Sequence, residues 1–222
     1  MTNVEYNIRH SYEVAVRNMT QTGWEKMTTV EKIQDLQAIE NYNAMEQGRI
    51  PATVYAESMG PGEWGYQADN NIIVSREGVD ANDLRETTDT IFHEGSHVRD
   101  FQANFFPEVQ TQYTPEELDA RSTPIPDPNL DYQGYYEHPA EVAAREAGAA
   151  GVLQITSDRA AILAADELHD HPHNQILETF DYLALDDNHN VSESIEILQA
   201  EDTNLDWNFE TSEPMIEPEL SE

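Results

Sequence analysis

Ile91-Phe92-His93-Glu94-Gly95-Ser96-His97 carries the pattern HExxH, and the rest of the chain is read outward from it. Asp80 is a good N-cap with Asp83 three residues on, so the spacing predicts a long helix from about 81 to about 104, ending before Phe105-Phe106-Pro107. Residues four apart share a helix face. His93 and His97 therefore point the same way and can grip one metal ion, while Glu94 beside them can take a proton from water held there. Leu84, Ile91, Val98 and Phe105 recur every seven residues and predict the buried stripe. The histidines lie well away from that stripe on a helical wheel, which argues against ordinary core histidines.

A third protein ligand has to come from another segment packed against this helix. Pro139 sits where a first helical residue belongs, and Ala140 to Gln154 is dominated by alanine and glycine, so this second helix can approach a neighbour closely. Glu141-Val142-Ala143-Ala144 puts a carboxylate near its start, and Glu141 is the expected ligand. Glu137, His138 and Glu146 are the alternatives within reach in sequence. Glu146 points about 140° away from Glu141, at about 100° per residue, so only one of those two can face the ion. Taken alone, Glu141 would read as a carboxylate favoured by the positive end of a helix.

The 222 residues include 44 Asp plus Glu against 11 Lys plus Arg, a formal net charge of -33. Nucleic acid is thereby excluded as an expected partner, because phosphate binding needs basic patches that this chain lacks the residues to build. Lys26 and Lys32 are the only lysines, and no Lys or Arg follows Arg159. This composition resembles that of proteins from extreme halophiles, in which high salt screens the self-repulsion of surface carboxylates. Cysteine is absent, so His, Asp or Glu must hold any metal.

The length predicts a single domain over 1–201, with a minimal core at about 51–154, followed by an acidic tail at 202–222. Met1-Thr2-Asn3-Val4-Glu5-Tyr6 does not read as a signal peptide, and no stretch approaches the roughly eighteen apolar residues of a membrane span. A cytoplasmic location without membrane association is expected, or packaging from there into a virus particle. Residues 11 to 47 read as helical. Between Pro51 and Gly78 three extended runs, Thr53-Val54-Tyr55, Trp64 to Tyr66 and Asn71 to Ser75, predict a small antiparallel sheet. From 107 to 134 the chain reads as an irregular excursion, and further helices are expected at about 158–168, 174–185 and 192–200. The fold class is therefore α+β, mostly helical, with the sheet preceding the HExxH helix.

Trp64-Gly65-Tyr66 with Asn70 to Val74, then His93 to His97, then Pro139-Ala140-Glu141-Val142-Ala143-Ala144 resembles the gluzincin metallopeptidases, especially their minimal members. The resemblance covers about Pro51 to Gln154. It implies a zincin-like domain in which zinc is held by His93, His97 and Glu141, with Glu94 as general base for hydrolysis of a peptide or protein substrate. It also implies that the strand with Asn71, Ile72, Ile73 and Val74 is the sheet edge along which the substrate lies. Tyr132, Tyr135, Tyr136 and His138 are the candidates for stabilising the tetrahedral oxyanion.

Asp100 and Gln102 are candidates for orienting a ligand histidine, with solvated helix residues as the simpler reading. The cluster His169-Asp170-His171-Pro172-His173 reads more readily as an exposed linker than as a second metal site. A rival to the peptidase reading is a non-catalytic assembly protein, for example a component of a virus particle of a halophilic host, that keeps the fold and engages an assembly partner through its acidic tail. A third reading has that tail, with Met215 and Ile216 between prolines, occupy the cleft of its own domain until it is removed.

Overall fold

The computed structural model describes residues 2–170, and the chain as far as His169 forms one compact unit. The helices expected at 174–185 and 192–200, the tail from 202, the 1–201 boundary and the side chains of the histidine cluster around His171 lie outside the described residues.

The helical opening is divided into α1 (Asn3–Asn18), α2 (Gln21–Lys26) and α3 (Thr29–Glu46), where a single helical stretch was expected. Threonines make the breaks. The Thr20 hydroxyl accepts from the Gly23 N–H and the Thr28 hydroxyl from the Glu31 N–H, and Glu31 closes a capping box. The sheet comprises β1 (Thr53–Glu57), β2 (Gly65–Ala68) and β3 (Asn71–Ser75) in the order β1-β3-β2. It is mixed, which corrects the antiparallel expectation: β1 runs parallel to β3, and β2 runs antiparallel to it. After β1 the chain crosses to the far side as β2 and returns through Asp69, at φ +51°, so that β3 fills the middle. Its unbroken Ile72-Ile73-Val74 run, fully buried, suits a strand covered on both faces.

A short α4 (Arg76–Asp80) precedes the central helix α5 (Leu84–Ala103). Asp80 ends α4, and Asp83 is the true N-cap of α5, accepting from Glu86 N–H at 3.0 Å. Ile91 and Val98 are 1% and 0% exposed and pack with Val16, Trp24, Leu36 and Ile72. Phe105 falls beyond the end of α5 and is 63% exposed, so the expected stripe stops one member short. The excursion contains α6 (Pro107–Gln110), α7 (Pro115–Arg121) and α8 (Tyr132–Glu137), each started by a proline or a capping side chain. α9 then runs without a break from Pro139 to Asp170.

Two buried polar devices fasten the segment leading into β1, one to α3 and one to α5. Arg49 and Glu40 form an ion pair with both side chains 0% exposed: Nη1 donates to Oε1 at 2.5 Å and Nη2 to Oε2 at 2.8 Å. Glu40 also accepts from the Ala52 N–H at 2.8 Å. Gln102 accepts from Ile50 N–H at 2.9 Å and donates to its carbonyl at 2.7 Å. This clasp at the entrance to β1 occupies Gln102 fully and removes it as a partner for a histidine. Lys32, 3% exposed, donates to the Val79 carbonyl at 2.8 Å and to Asn82, with its ammonium over the Trp24 ring.

Asp35 is buried near the end of α1, accepting from Asn18 Nδ2 at 3.0 Å, and burial raises its pKa to about 6. Its folded value thus lies above the ordinary one, so the fold binds the proton more tightly than the unfolded chain does. Stability is lost as pH rises through the window from about 4 to about 6. Asp35→Asn keeps the acceptor and is expected to stabilise the protein by about 1–2 kcal/mol at pH 8. Denaturant unfolding at fixed salt should show that gain vanish at pH 4; equal gains at both pH values would refute it.

Candidate metal centre

α5 carries His93, Glu94 and His97 to the floor of a cleft of about 390 Å³. The first turn of α9 brings Glu141 over them. This approach is permitted by glycine. A Cβ at Gly148 would meet the Asp89 carboxylate at 2.7 Å, and one at Gly151 would meet the Phe92 ring at 2.1 Å, so α9 lies too close to α5 for any side chain there. The Ala/Gly-rich sequence of this helix anticipated that contact. Beneath the motif, Gly95 faces the buried ion pair, where an added Cβ would lie 3.3 Å from Arg49 Nη2.

His93, His97 and Glu141 each offer a ligand atom within 4.8 Å of the others. His97 Nε2 is 3.2 Å from Glu141 Oε1, and His93 Nε2 is 3.6 Å from Oε2. Ligand atoms bound to one tetrahedral ion at about 2.0–2.2 Å lie about 3.3–3.6 Å apart. The two observed spacings, each to a different oxygen of the carboxylate, lie close to that range. Glu141 Oε2 is buried with no hydrogen-bond partner among the described residues, a costly arrangement for a lone carboxylate oxygen. Burial works to raise the Glu141 carboxyl, but the facing imidazoles outweigh it and hold it well below the usual carboxylate range. Glu94 is 7% exposed, and burial, only partly offset by His93 and His97, pushes its carboxyl up.

Of the four oxyanion candidates only Tyr135 lines the cleft with these residues. Burial and then the nearby Glu141 carboxylate raise its phenol. Tyr132 and Tyr136 are 64% and 47% exposed and stack on each other. His138 is spent on structure: its Nδ1 accepts from the Ala140 N–H at 3.2 Å, and its Nε2 lies 2.8 Å from Thr123 Oγ1. It thereby tethers the start of α9 to the segment just after α7. Among the alternative carboxylates, Glu137 and Glu146 are exposed.

The strand expected to be the substrate edge is not an edge. β3 has β1 on one side and β2 on the other, so Asn71, Ile72, Ile73 and Val74 have no free edge. β2 is the edge beside the site, and Gly65, Tyr66 and Gln67 line the cleft. Gly65 allows this, since a Cβ there would meet Thr90 Cγ2 at 2.5 Å and the Ile73 carbonyl at 2.7 Å. The unbroken apolar run of β3 was the available signal for a central strand.

Asp100, one turn beyond His97, makes no hydrogen bond to His93 or His97. It accepts from the Tyr113 hydroxyl at 2.7 Å and from Arg121 Nη1 at 3.0 Å. Arg121 also lines the cleft, a residue of the excursion that sequence reading passed over because it belongs to no motif. No helix among the described residues is long and apolar enough to cross a membrane. Compared with family models, curated proteins and solved structures, the chain matches none.

Proposed function

We propose that the protein is a zinc-dependent peptidase in which His93, His97 and Glu141 hold the ion and Glu94 is the general base. The observation that carries this reading is the Glu141 carboxylate between two imidazoles, with His97 Nε2 at 3.2 Å from Oε1 and His93 Nε2 at 3.6 Å from a buried Oε2 that has no hydrogen-bond partner among the described residues. Two nitrogens and one carboxylate oxygen, with a position left open towards the cleft, form a donor set suited to catalytic zinc. Zinc, when bound, supplies Lewis acidity and brings the pKa of water in its open position down towards about 7.

The protein's own groups do the rest. Glu94, one residue from a ligand and largely screened from solvent, takes a proton from the attacking water and returns it to the leaving amine. Tyr135 is the donor positioned to steady the charge that develops on the carbonyl oxygen. The edge of β2 offers backbone groups to an extended peptide, which would orient the scissile bond over the floor of the cleft.

Metal content measured by mass spectrometry on protein purified in high salt without chelator tests the site. About one zinc per chain is expected, with loss of at least an order of magnitude in affinity in His97→Ala and in Glu141→Ala. A native chain that binds no zinc from a zinc-supplemented buffer would sink the peptidase reading and leave the assembly-protein alternative in front.

A further inference from the structure

The cleft continues past His97 to a wall formed by α5 and α7, where Asp100, Phe101, Leu118, Arg121, Ser122 and Ile125 gather. In a chain of net charge -33, an arginine lining this cleft calls for a reason. Arg121 is the last residue of α7, with its side chain 20% exposed. One edge of its guanidinium is committed: Nη1 donates to Asp100 Oδ1 at 3.0 Å and to Oδ2 at 3.3 Å. Its face lies over the Tyr113 ring, 5.3 Å from the centroid, with Arg99 over the same ring at 4.9 Å. Tyr113 is itself fixed by its hydrogen bond to Asp100. Nε and Nη2 of Arg121 have no hydrogen-bond partner among the described residues.

At this wall Arg121 is paired with Asp100, with Arg99 and Glu117 nearby, beside a floor that carries Glu94 and Glu141. A guanidinium oriented on two sides, with donors left over, is prepared for a carboxylate. Asp100 follows His97 by three residues, about 4.5 Å along the helix axis. An extended peptide advances about 3.3 Å per residue, so a group reaching this wall belongs to a residue adjacent to the scissile bond or one further.

We propose that Arg121 anchors a carboxylate of the substrate, either a free C-terminus or an acidic side chain, close to the bond that is cut. This rests on the peptidase reading for its context, and its test is chosen to be separable from it. Binding is measured by calorimetry on the Glu94→Gln protein, which should hold peptide without turnover. One pair of probes is N-acetyl-Ala-Ala-Phe as the free acid and as the amide; the other is N-acetyl-Ala-Ala-Glu amide and N-acetyl-Ala-Ala-Gln amide. The carboxylate member of one pair is expected to bind roughly 10- to 100-fold more tightly than its neutral twin. Which pair responds identifies the source of the carboxylate.

Arg121→Gln should erase the preference while leaving the neutral peptides' affinity in place. Arg121→Lys, which can keep the ion pair with Asp100 but lacks the planar fork, should lose most of it and guards against a variant that fails to fold. Equal affinities within both pairs, no binding of any probe, or a preference that survives both substitutions overturns the proposal. Zinc content is recorded on the same samples. A carboxylate preference without zinc would refute the peptidase and spare the anchor; zinc without the preference would do the reverse.

Discussion

Glu94→Gln is expected to lower peptide hydrolysis by about 10²- to 10⁴-fold with zinc content unchanged. Glutamine nearly matches the shape of glutamate and keeps an acceptor, but it cannot take a proton from water at neutral pH. Glu94 is not among the three residues whose donor atoms converge, so its replacement should leave the ion in place and remove only the proton transfer. The comparison is made on samples matched for metal, with turnover of a peptide library read by mass spectrometry. If the variant cleaves as fast as the native protein, Glu94 is not the base; if neither cleaves while both carry zinc, the fold is using its metal for structure.

The second large effect is on stability. Glu40→Ala should cost about 3–5 kcal/mol, because it leaves the Arg49 guanidinium buried without its partner and the Ala52 N–H without an acceptor. That is a large fraction of the about 5–15 kcal/mol that holds a typical domain together. The exposed pair between Arg9 and Glu46, at 41% and 48% side-chain exposure, provides the contrast, and Glu46→Ala should cost about 1 kcal/mol or less. Denaturant unfolding at constant salt and zinc compares the two. Similar costs would mean that the buried pair contributes no more than a surface one. The double substitution Glu40→Met with Arg49→Leu should recover part of the loss, since it removes both charges together.

Much of this architecture was legible in advance, for identifiable reasons. HExxH on one helix face needs only helical periodicity, and Glu141 followed from the alanine- and glycine-rich helix that had to pack nearby. The strand positions followed from short β-branched runs between Pro51 and Gly78. Their pairing did not, because β1 and β3 meet through a crossing that leaves no local mark, and the edge was therefore assigned to the wrong strand. Asp80 and Asp83 are equally good caps by residue type; only α4, which ends at Asp80, decides between them. His138 and Tyr135 differ by three positions and both looked available, but His138 is occupied by a local bond from the Ala140 amide and by the Thr123 hydroxyl, fifteen residues away in sequence. Arg121 has no motif around it, and its place in the cleft arises from the packing of α7 on α5.

The lysine inventory has a practical consequence. Of the two lysines, Lys32 is enclosed, its amine held by the Val79 carbonyl and Asn82 under the Trp24 ring, whereas Lys26 on α2 is exposed. With no cysteine in the chain, amine-directed reagents meet a single accessible lysine side chain. A dye or a surface tether attached there marks one defined point, on a helix that contributes no residue to the cleft.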